Sequence, residues 1–260
     1  MKIVSWNINS VRLRIDALGE VLSSINPDVI CLQETKATND VFPFDQIKSF
    51  GYEHIIASGE KSYNGVAIIS KHPIISSFSL ELYNEDKRHI AAMINDIEIH
   101  NFYVPAGGDI PNPDENPKFA HKLAFIDEMN NWFLENRSKE DKLILVGDLN
   151  ISPFEHDVWS SKQLRNIVSH TDIEREKLLR NIESFNWIDT HRKFTDHSEK
   201  LYSWWSYRSP NWQKSNRGRR LDHIWVSKNL DTSLKSASIY KETRSWEKPS
   251  DHVPVITELK

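Results

Sequence analysis

Lys142-Leu143-Ile144-Leu145-Val146-Gly147-Asp148-Leu149-Asn150 reads as a buried strand that ends on two polar side chains. Its apolar run has no polar alternation, which is the pattern of a strand covered on both faces. Gly147 lets another chain or a substrate approach the backbone. Asp148 and Asn150 lie two residues apart and can face one point at the strand's C-terminal end, where α/β proteins build their sites. Shorter runs of the same kind recur outward in both directions: Ile3-Val4, Val29-Ile30, Val66 to Ile69, Ile97 to Val104, Ile224 to Val226 and Val253 to Ile256.

Helical patterns lie between some of these runs. Ser10 is expected to cap a helix with Val11, Leu18, Val21, Leu22 and Ile25 inward, stopping at Pro27. Phe119, Leu123, Ile126 and Phe133 repeat at helical spacing. Ile173, Leu178, Leu179, Ile182 and Phe185 make a third helix behind Thr171 or Asp172. No linker, repeat or low-complexity stretch interrupts the series. The expected architecture is one α/β domain over residues 1–260, sheets at the centre and helices outside. A chain of 260 residues suits one domain with a large core.

Composition narrows the class further. A charged fraction of 27% with 10% aromatics is too apolar for a disordered chain. The single Cys31 excludes an internal disulfide and a cysteine-based zinc cluster, and it suits a reducing cytoplasm. No apolar run approaches the ~20 residues that cross a bilayer, and the N-terminus lacks a signal-peptide core. A cytoplasmic, monomeric protein without a membrane contact is expected. The net charge of −4 argues, as an average, against a passive basic coat for nucleic acid.

Five places put a polar group beside a buried strand, where an unpaired one is costly. In Trp6-Asn7-Ile8-Asn9, strand alternation points both amides the same way, although for this segment alone a pair of turn amides is the favoured reading. In Cys31-Leu32-Gln33-Glu34-Thr35 a carboxylate closes the strand, as ligand or as helix cap. Gly147-Asp148-Leu149-Asn150 is the third. Arg220-Leu221-Asp222-His223 opens a strand with an acid, and Ser250-Asp251-His252-Val253-Pro254 puts an Asp-His pair before the last one. A lone histidine there is usually structural. Two aspartates and a histidine converging from separate strand ends are harder to dismiss, because a carboxylate that fixes the imidazole tautomer leaves the other nitrogen for a substrate.

The donor set is oxygen-rich and free of thiolate, which favours Mg²⁺ or Mn²⁺ over zinc. Mg²⁺ completes its shell with water and phosphate oxygens, so the implied chemistry is hydrolysis of a phosphate ester. A Walker A loop, a nucleophile-elbow serine and a GxGxxG turn are all absent from the sequence.

Six segments in order form a pattern: Trp6-Asn7-Ile8-Asn9, Leu32-Gln33-Glu34-Thr35-Lys36, Asn101-Phe102-Tyr103-Val104-Pro105, Gly147 to Pro153, Arg220-Leu221-Asp222 and Ser250-Asp251-His252-Val253-Pro254. The pattern spans the chain and resembles exonuclease III, the abasic-site endonuclease branch of the endonuclease/exonuclease/phosphatase superfamily. Glu174-Arg175-Glu176, Trp187-Ile188-Asp189-Thr190 and Tyr202 to Arg208 resemble its bacterial type. The resemblance implies a four-layered α/β sandwich with the site at one rim. It implies Glu34 as principal metal ligand, with Asn7, Asp148, Asn150, Asp251 and His252 in the wider metal shell. It further implies that Asp222 orients His252 on the scissile phosphate, that Asp148 orients or deprotonates the attacking water, and that Asn150 helps hold it. Tyr103 would sit against the phosphate. The general base is one of Asp148, His252 and Tyr103, and the sequence leaves that choice open.

The superfamily also holds inositol-phosphate phosphatases and sphingomyelinases, so the substrate must be read from the surroundings. From Lys200 to Leu221 stand Lys200, Arg208, Lys214, Arg217, Arg219 and Arg220 with no acid, +6 in 22 residues and −10 for the rest. Tyr202, Trp204, Trp205, Tyr207 and Trp212 are interleaved. Cations for phosphates and rings for bases or sugars are the usual combination for nucleic acid. Of the adjacent Trp204 and Trp205, one is expected to line the site. By family position, Trp204 and Leu221 wall a pocket for an extruded abasic sugar, with Arg219 where some relatives carry an aromatic. Lys36, Lys118 and Lys122 read as further backbone contacts or as solvated surface. The expected partner is double-stranded DNA, at abasic sites and 3′ ends. A lipid phosphatase would lack the basic-aromatic stretch, and a binding module would have lost an acid or the histidine.

Overall fold

The computed structural model describes residues 1–209 and 211–260, and their strands pair into two six-stranded sheets and one short ribbon. In chain order the strands are β1 (Lys2–Asn7), β2 (Val29–Gln33), β3 (His54–Ser58), β4 (Val66–Ser70), β5 (Ile74–Phe78), β6 (His89–Ile94), β7 (Ile97–Tyr103), β8 (Leu143–Asp148), β9 (Ile188–Asp189), β10 (Trp204–Trp205), β11 (Gly218–Arg219), β12 (Asp222–Val226), β13 (Leu234–Ile239) and β14 (Val255–Leu259). The first sheet runs β13-β14-β1-β2-β4-β3 and the second β5-β6-β7-β8-β12-β9, while β10 and β11 form the ribbon. The main helices are α1 (Ile15–Ile25), α2 (Phe44–Ser49), α3 (Pro117–Asn136), α4 (Ser161–Leu164) and α5 (Asp172–Phe185).

Alternation along each central strand sorts its side chains between two cores. Between the sheets, Ile3, Val29, Cys31, Val66 and Ile68 of the first meet Ile90, Ala92, Ile99, Ile144, Val146 and Ile224 of the second. On the outer face of the first sheet, Val4, Trp6, Ile30 and Leu32 pack against Leu18, Val21, Leu22 and Ile25 of α1. On the outer face of the second, Phe102, Leu143, Leu145 and Trp225 pack against α3 and α5 through Phe125, Ile126, Met129, Phe133, Leu178 and Phe185. The result is a four-layered α/β sandwich. It explains why the Leu143–Val146 run shows no polar alternation: Ile144 and Val146 face one core, Leu143 and Leu145 the other.

Gly147 is required by the sheet itself. Its φ is 147°, and a Cβ there would lie 1.9 Å from the Phe102 carbonyl oxygen of the neighbouring β7. The chain that approaches is therefore β7.

Two local expectations need correction. Ser10 does not cap α1, which starts at Ile15 with Arg14 at the cap position. Ser10 has a φ of 87°, and the Ser10 and Val11 amides donate to the carbonyls of Glu34 and Thr35, so this segment is tied to the neighbouring loop before the helix begins. Val11 is buried as expected, but outside the helix. Ile173 is 41% exposed, since α5 turns Leu178 and Phe185 inward instead. Thr171 is the α5 cap, in a reciprocal box with Glu174.

Five buried imidazoles, those of His89, His100, His170, His191 and His223, are held below the ordinary imidazole range by burial and shape the response of the fold to acid. Burial holds His191 at about 4 and His223 at about 3, and burial together with His100 holds His89 well below the usual imidazole range. These rings stay neutral in the folded chain, whereas the unfolded chain takes up protons below pH ~6.5. Stability contributed by their neutral forms is therefore present above that pH and lost as pH falls toward 4. His252 and Asp148, whose pKa values are raised, work in the opposite sense. Urea denaturation at pH 7.5 and 5.5 should show a net loss of about 2–3 kcal/mol at the lower pH. Equal midpoints would contradict neutral burial of these rings.

Candidate active site

The strand directions bring the polar ends to one rim. The parallel pairs β1/β2 and β7/β8 deliver their C-terminal ends there, and β12, antiparallel to β8, delivers its start. Asp222 thus lies in register with Asp148, Tyr103 with Asp148, and Asn7 with Gln33 just before Glu34. The ribbon strand β10 pairs with the segment before β14, where Trp204 bridges His252 and the Trp205 amide donates to the Asp251 carbonyl.

Hydrogen bonds join these side chains into one network. Asn7 Nδ2 donates to Glu34 Oε1 at 2.9 Å and to Asp148 Oδ2 at 2.8 Å, linking the two sheets. Asn150 has a φ of 53°, and its Nδ2 donates to Asp148 Oδ2 at 3.2 Å and to the Val104 carbonyl at 2.9 Å. His252 Nδ1 is 2.9 Å from Asp222 Oδ2, and its Nε2 is 3.7 Å from Asp148 Oδ2. Ser203, which no signal in the sequence marks, donates its hydroxyl to Asp222 Oδ2 at 2.6 Å and accepts the Leu221 and Asp222 amides. Asp251 accepts from Trp204 Nε1 at 2.9 Å and from Asn9 Nδ2 at 3.1 Å. Asn7 and Asn9 both reach the site, but not by alternation: Asn9 has left the strand, with a φ of 47°.

Electrostatics follows from crowding charges out of water. Burial would lower the His252 pKa, but the carboxylates of Asp222 and Asp148 overrule it and hold the ring well above the ordinary imidazole range. Burial pushes Asp148 upward against the pull of His252, with Asp222 and Glu34 adding to the rise. Tyr103 is raised by burial and by the Glu34 and Asp148 carboxylates, so its hydroxyl keeps its proton. Glu34 is lowered: burial opposes ionisation, and Lys36, 2.9 Å away, outweighs it with help from Asn7.

The donor set fits a hard divalent cation. Asp148, Asp222 and His252 bring ligand atoms within 4.8 Å of one another, and Asp222 Oδ1 is buried without a hydrogen-bond partner. Glu34 stands across Asn7 from this group. Carboxylate and amide oxygens without thiolate are the ligands that Mg²⁺ and Mn²⁺ use.

A cavity of about 1030 Å³ opens over these groups. Glu34, Tyr103, Asn150, Asp251 and His252 lie at its floor, with Trp204, Arg208, Arg217, Arg219 and Leu221 on its walls. Trp204 is the ring that lines the site, while Trp205 is buried against Tyr202 and Val253. Lys118 and Lys214 do not line the cavity. Arg220 is fully buried on Asp157 and Asp189, so one charge of the basic strip belongs to the interior. Lys122 is neither solvated surface nor open to a DNA backbone; it is buried and paired with Glu174.

The profile of the endonuclease/exonuclease/phosphatase family matches residues 4–252. The chain belongs to that family. Among its relatives, the exodeoxyribonuclease III of Haemophilus influenzae is 31% identical, with all of both chains covered. Two solved members of similar fold are an AP endonuclease from Archaeoglobus fulgidus, with TM-score 0.92, and the 3′ phosphatase NExo from Neisseria bound to a product DNA hairpin, with TM-score 0.91. Each is 30% identical and covers all of this chain and 99% of its own. Among the described residues, no helix is long and apolar enough to cross a membrane.

Proposed function

We propose that this single-domain chain is a divalent-metal-dependent DNA repair nuclease. It hydrolyses phosphodiester bonds of duplex DNA 5′ to abasic sites and removes nucleotides or blocking groups from 3′ ends, leaving a 3′-hydroxyl and a 5′-phosphate. The observation that carries this reading is the junction of Asp148, Asn7, Glu34, Asp222 and His252 beneath a cavity walled by Trp204, Arg208 and Arg217. A site for a small phosphate ester has no use for such a wall, whereas rings and guanidinium groups suit a polyanion with stacking faces.

Each residue has a role that its surroundings support. Asp148, buried and hydrogen-bonded from two sides, is placed to orient an attacking water and accept its proton. His252, held by Asp222, presents Nε2 toward the phosphate as a cationic donor. The protonated Tyr103 supplies a neutral donor to developing negative charge, and Asn150, whose Nδ2 is committed to Asp148 and the Val104 carbonyl, holds the Asp148 carboxylate in place. Glu34, Asn7, Asp251 and the Asp148 group would hold Mg²⁺ or Mn²⁺, which when bound neutralises phosphate oxygens and polarises the ester. The sole cysteine, Cys31, is buried, its thiol pKa pushed up by burial, which suits work in a reducing cytoplasm as a monomer.

The test is a gel assay on duplex DNA carrying one abasic analogue, with Mg²⁺ and with EDTA. Incision in the Mg²⁺ lane alone, with 3′-hydroxyl and 5′-phosphate ends, is expected. An intact strand with Mg²⁺, or product ends bearing a 3′-phosphate, would overturn the reading.

A further inference from the structure

Lys122 and Glu174 form an ion pair at 2.5 Å with both side chains wholly inaccessible to solvent. Such pairs are poor stability devices, since taking two charges out of water costs about what their attraction returns, and apolar replacement is often neutral. The placement of this one is unusual in a second way. Besides Glu174, the Lys122 ammonium donates to the Asn150 carbonyl at 2.8 Å and the Ala106 carbonyl at 3.2 Å. The Glu174 carboxylate accepts the Ser169 amide at 2.9 Å, the Thr171 amide at 3.1 Å and the Thr171 hydroxyl at 2.6 Å.

The two ends therefore grip Asn150 and Ser169, and both line the cavity. Both are non-glycine residues in the left-handed region, with φ of 53° and 85°. That conformation is costly for most residues with a side chain, Ser169 among them, and least so for asparagine, so at Asn150 the Lys122 contact holds a geometry that the residue type tolerates. At Asn150 it aims Nδ2 at Asp148 and at the Val104 carbonyl. At Ser169 it presents the hydroxyl to Arg219, whose guanidinium also lies 5.4 Å over the Trp204 ring.

We propose that Lys122 and Glu174 are positioning residues for the nuclease reaction, an ionic strut that fixes Asn150 beside Asp148 and the Ser169 wall beside Arg219. The proposal rests on the nuclease reading for its kinetic readout, but not for its structural one.

The decisive protein is the double variant Lys122→Met with Glu174→Gln, which leaves no uncompensated buried charge and so separates positioning from loss of fold. It should remain folded and bind duplex DNA within about threefold of the parent, with kcat lower by about 10–100-fold, the scale of an ångström-level misplacement. In an Asn150→Ala background the same double change should alter kcat by less than about threefold, because the group it positions is gone. Side-chain amide NMR of Asn150 gives a readout without any substrate, and its signals should move or broaden in the double variant. Native kcat in the folded double variant, an equal fold-loss with and without Asn150, or an unmoved Asn150 amide would each overturn the proposal. A parent protein inactive on DNA refutes the nuclease reading instead, and the amide spectrum still decides the strut.

Discussion

Replacing Asp148 by Asn should lower kcat by about 10²–10⁴ while leaving DNA affinity unchanged or tighter. The change keeps the shape of the side chain but removes the acceptor for the water proton. It also sets a new amide against donors already in place, Asn7 Nδ2 at 2.8 Å and Asn150 Nδ2 at 3.2 Å. Binding should not suffer, because the lost negative charge lies where a phosphate must come. Single-turnover hydrolysis gives the first quantity and fluorescence anisotropy on labelled duplex the second. A variant within tenfold of parent kcat would remove Asp148 from the proton transfer and leave Tyr103 or His252 as base.

The largest loss of stability is expected at a residue outside the site. Asp157 is fully buried and receives Arg192 Nη2 at 2.5 Å and Arg220 through Nε at 3.0 Å and Nη2 at 2.9 Å. Arg220 also reaches Asp189 at 2.7 Å. Asp157→Ala removes the carboxylate of Arg192 and leaves the buried Arg220 with Asp189 alone, at a cost of about 3–5 kcal/mol. For a chain of this size that corresponds to a Tm lower by roughly 10 °C. Thermal unfolding followed by circular dichroism measures it. A Tm within about 2 °C of the parent would show that the interior around Arg220 and Arg192 is wetter or more adaptable than its burial indicates.

Arg220 also shows how far local pattern carries. It sits beside Arg219 in the basic strip, and residue type alone does not distinguish the two. In the fold, Arg219 faces the cavity and Arg220 turns inward to Asp157 and Asp189. The charge count of the strip therefore overstates its surface by one. Lys122 is legible in principle: it follows Phe119 by three and precedes Ile126 by four, which puts it on the buried stripe of α3. Its partner Glu174 closes the cap box of α5, but only the packing of the two helices' surroundings reveals the pair.

The strand β6 carries a weak signal because His89, Ala91, Ala92 and Met93 lack the branching that marks a strand, although its pairing with β7 buries it. The edge strands β5 and β13 are largely exposed, and serines interrupt their apolar residues.

The sequence by itself determined which short segments are buried on both faces and which polar residues stand at their ends, because those are period-two and composition effects confined to a few neighbours. The tertiary structure alone decided that β12 lies between β8 and β9, so that Asp222 comes into register with Asp148, and that Ser203, Lys122 and Glu174 support the site. Pairing between segments tens of residues apart is settled by burying two sheets together and by finding a partner for every enclosed charge. Neither condition is written in any one stretch of the chain.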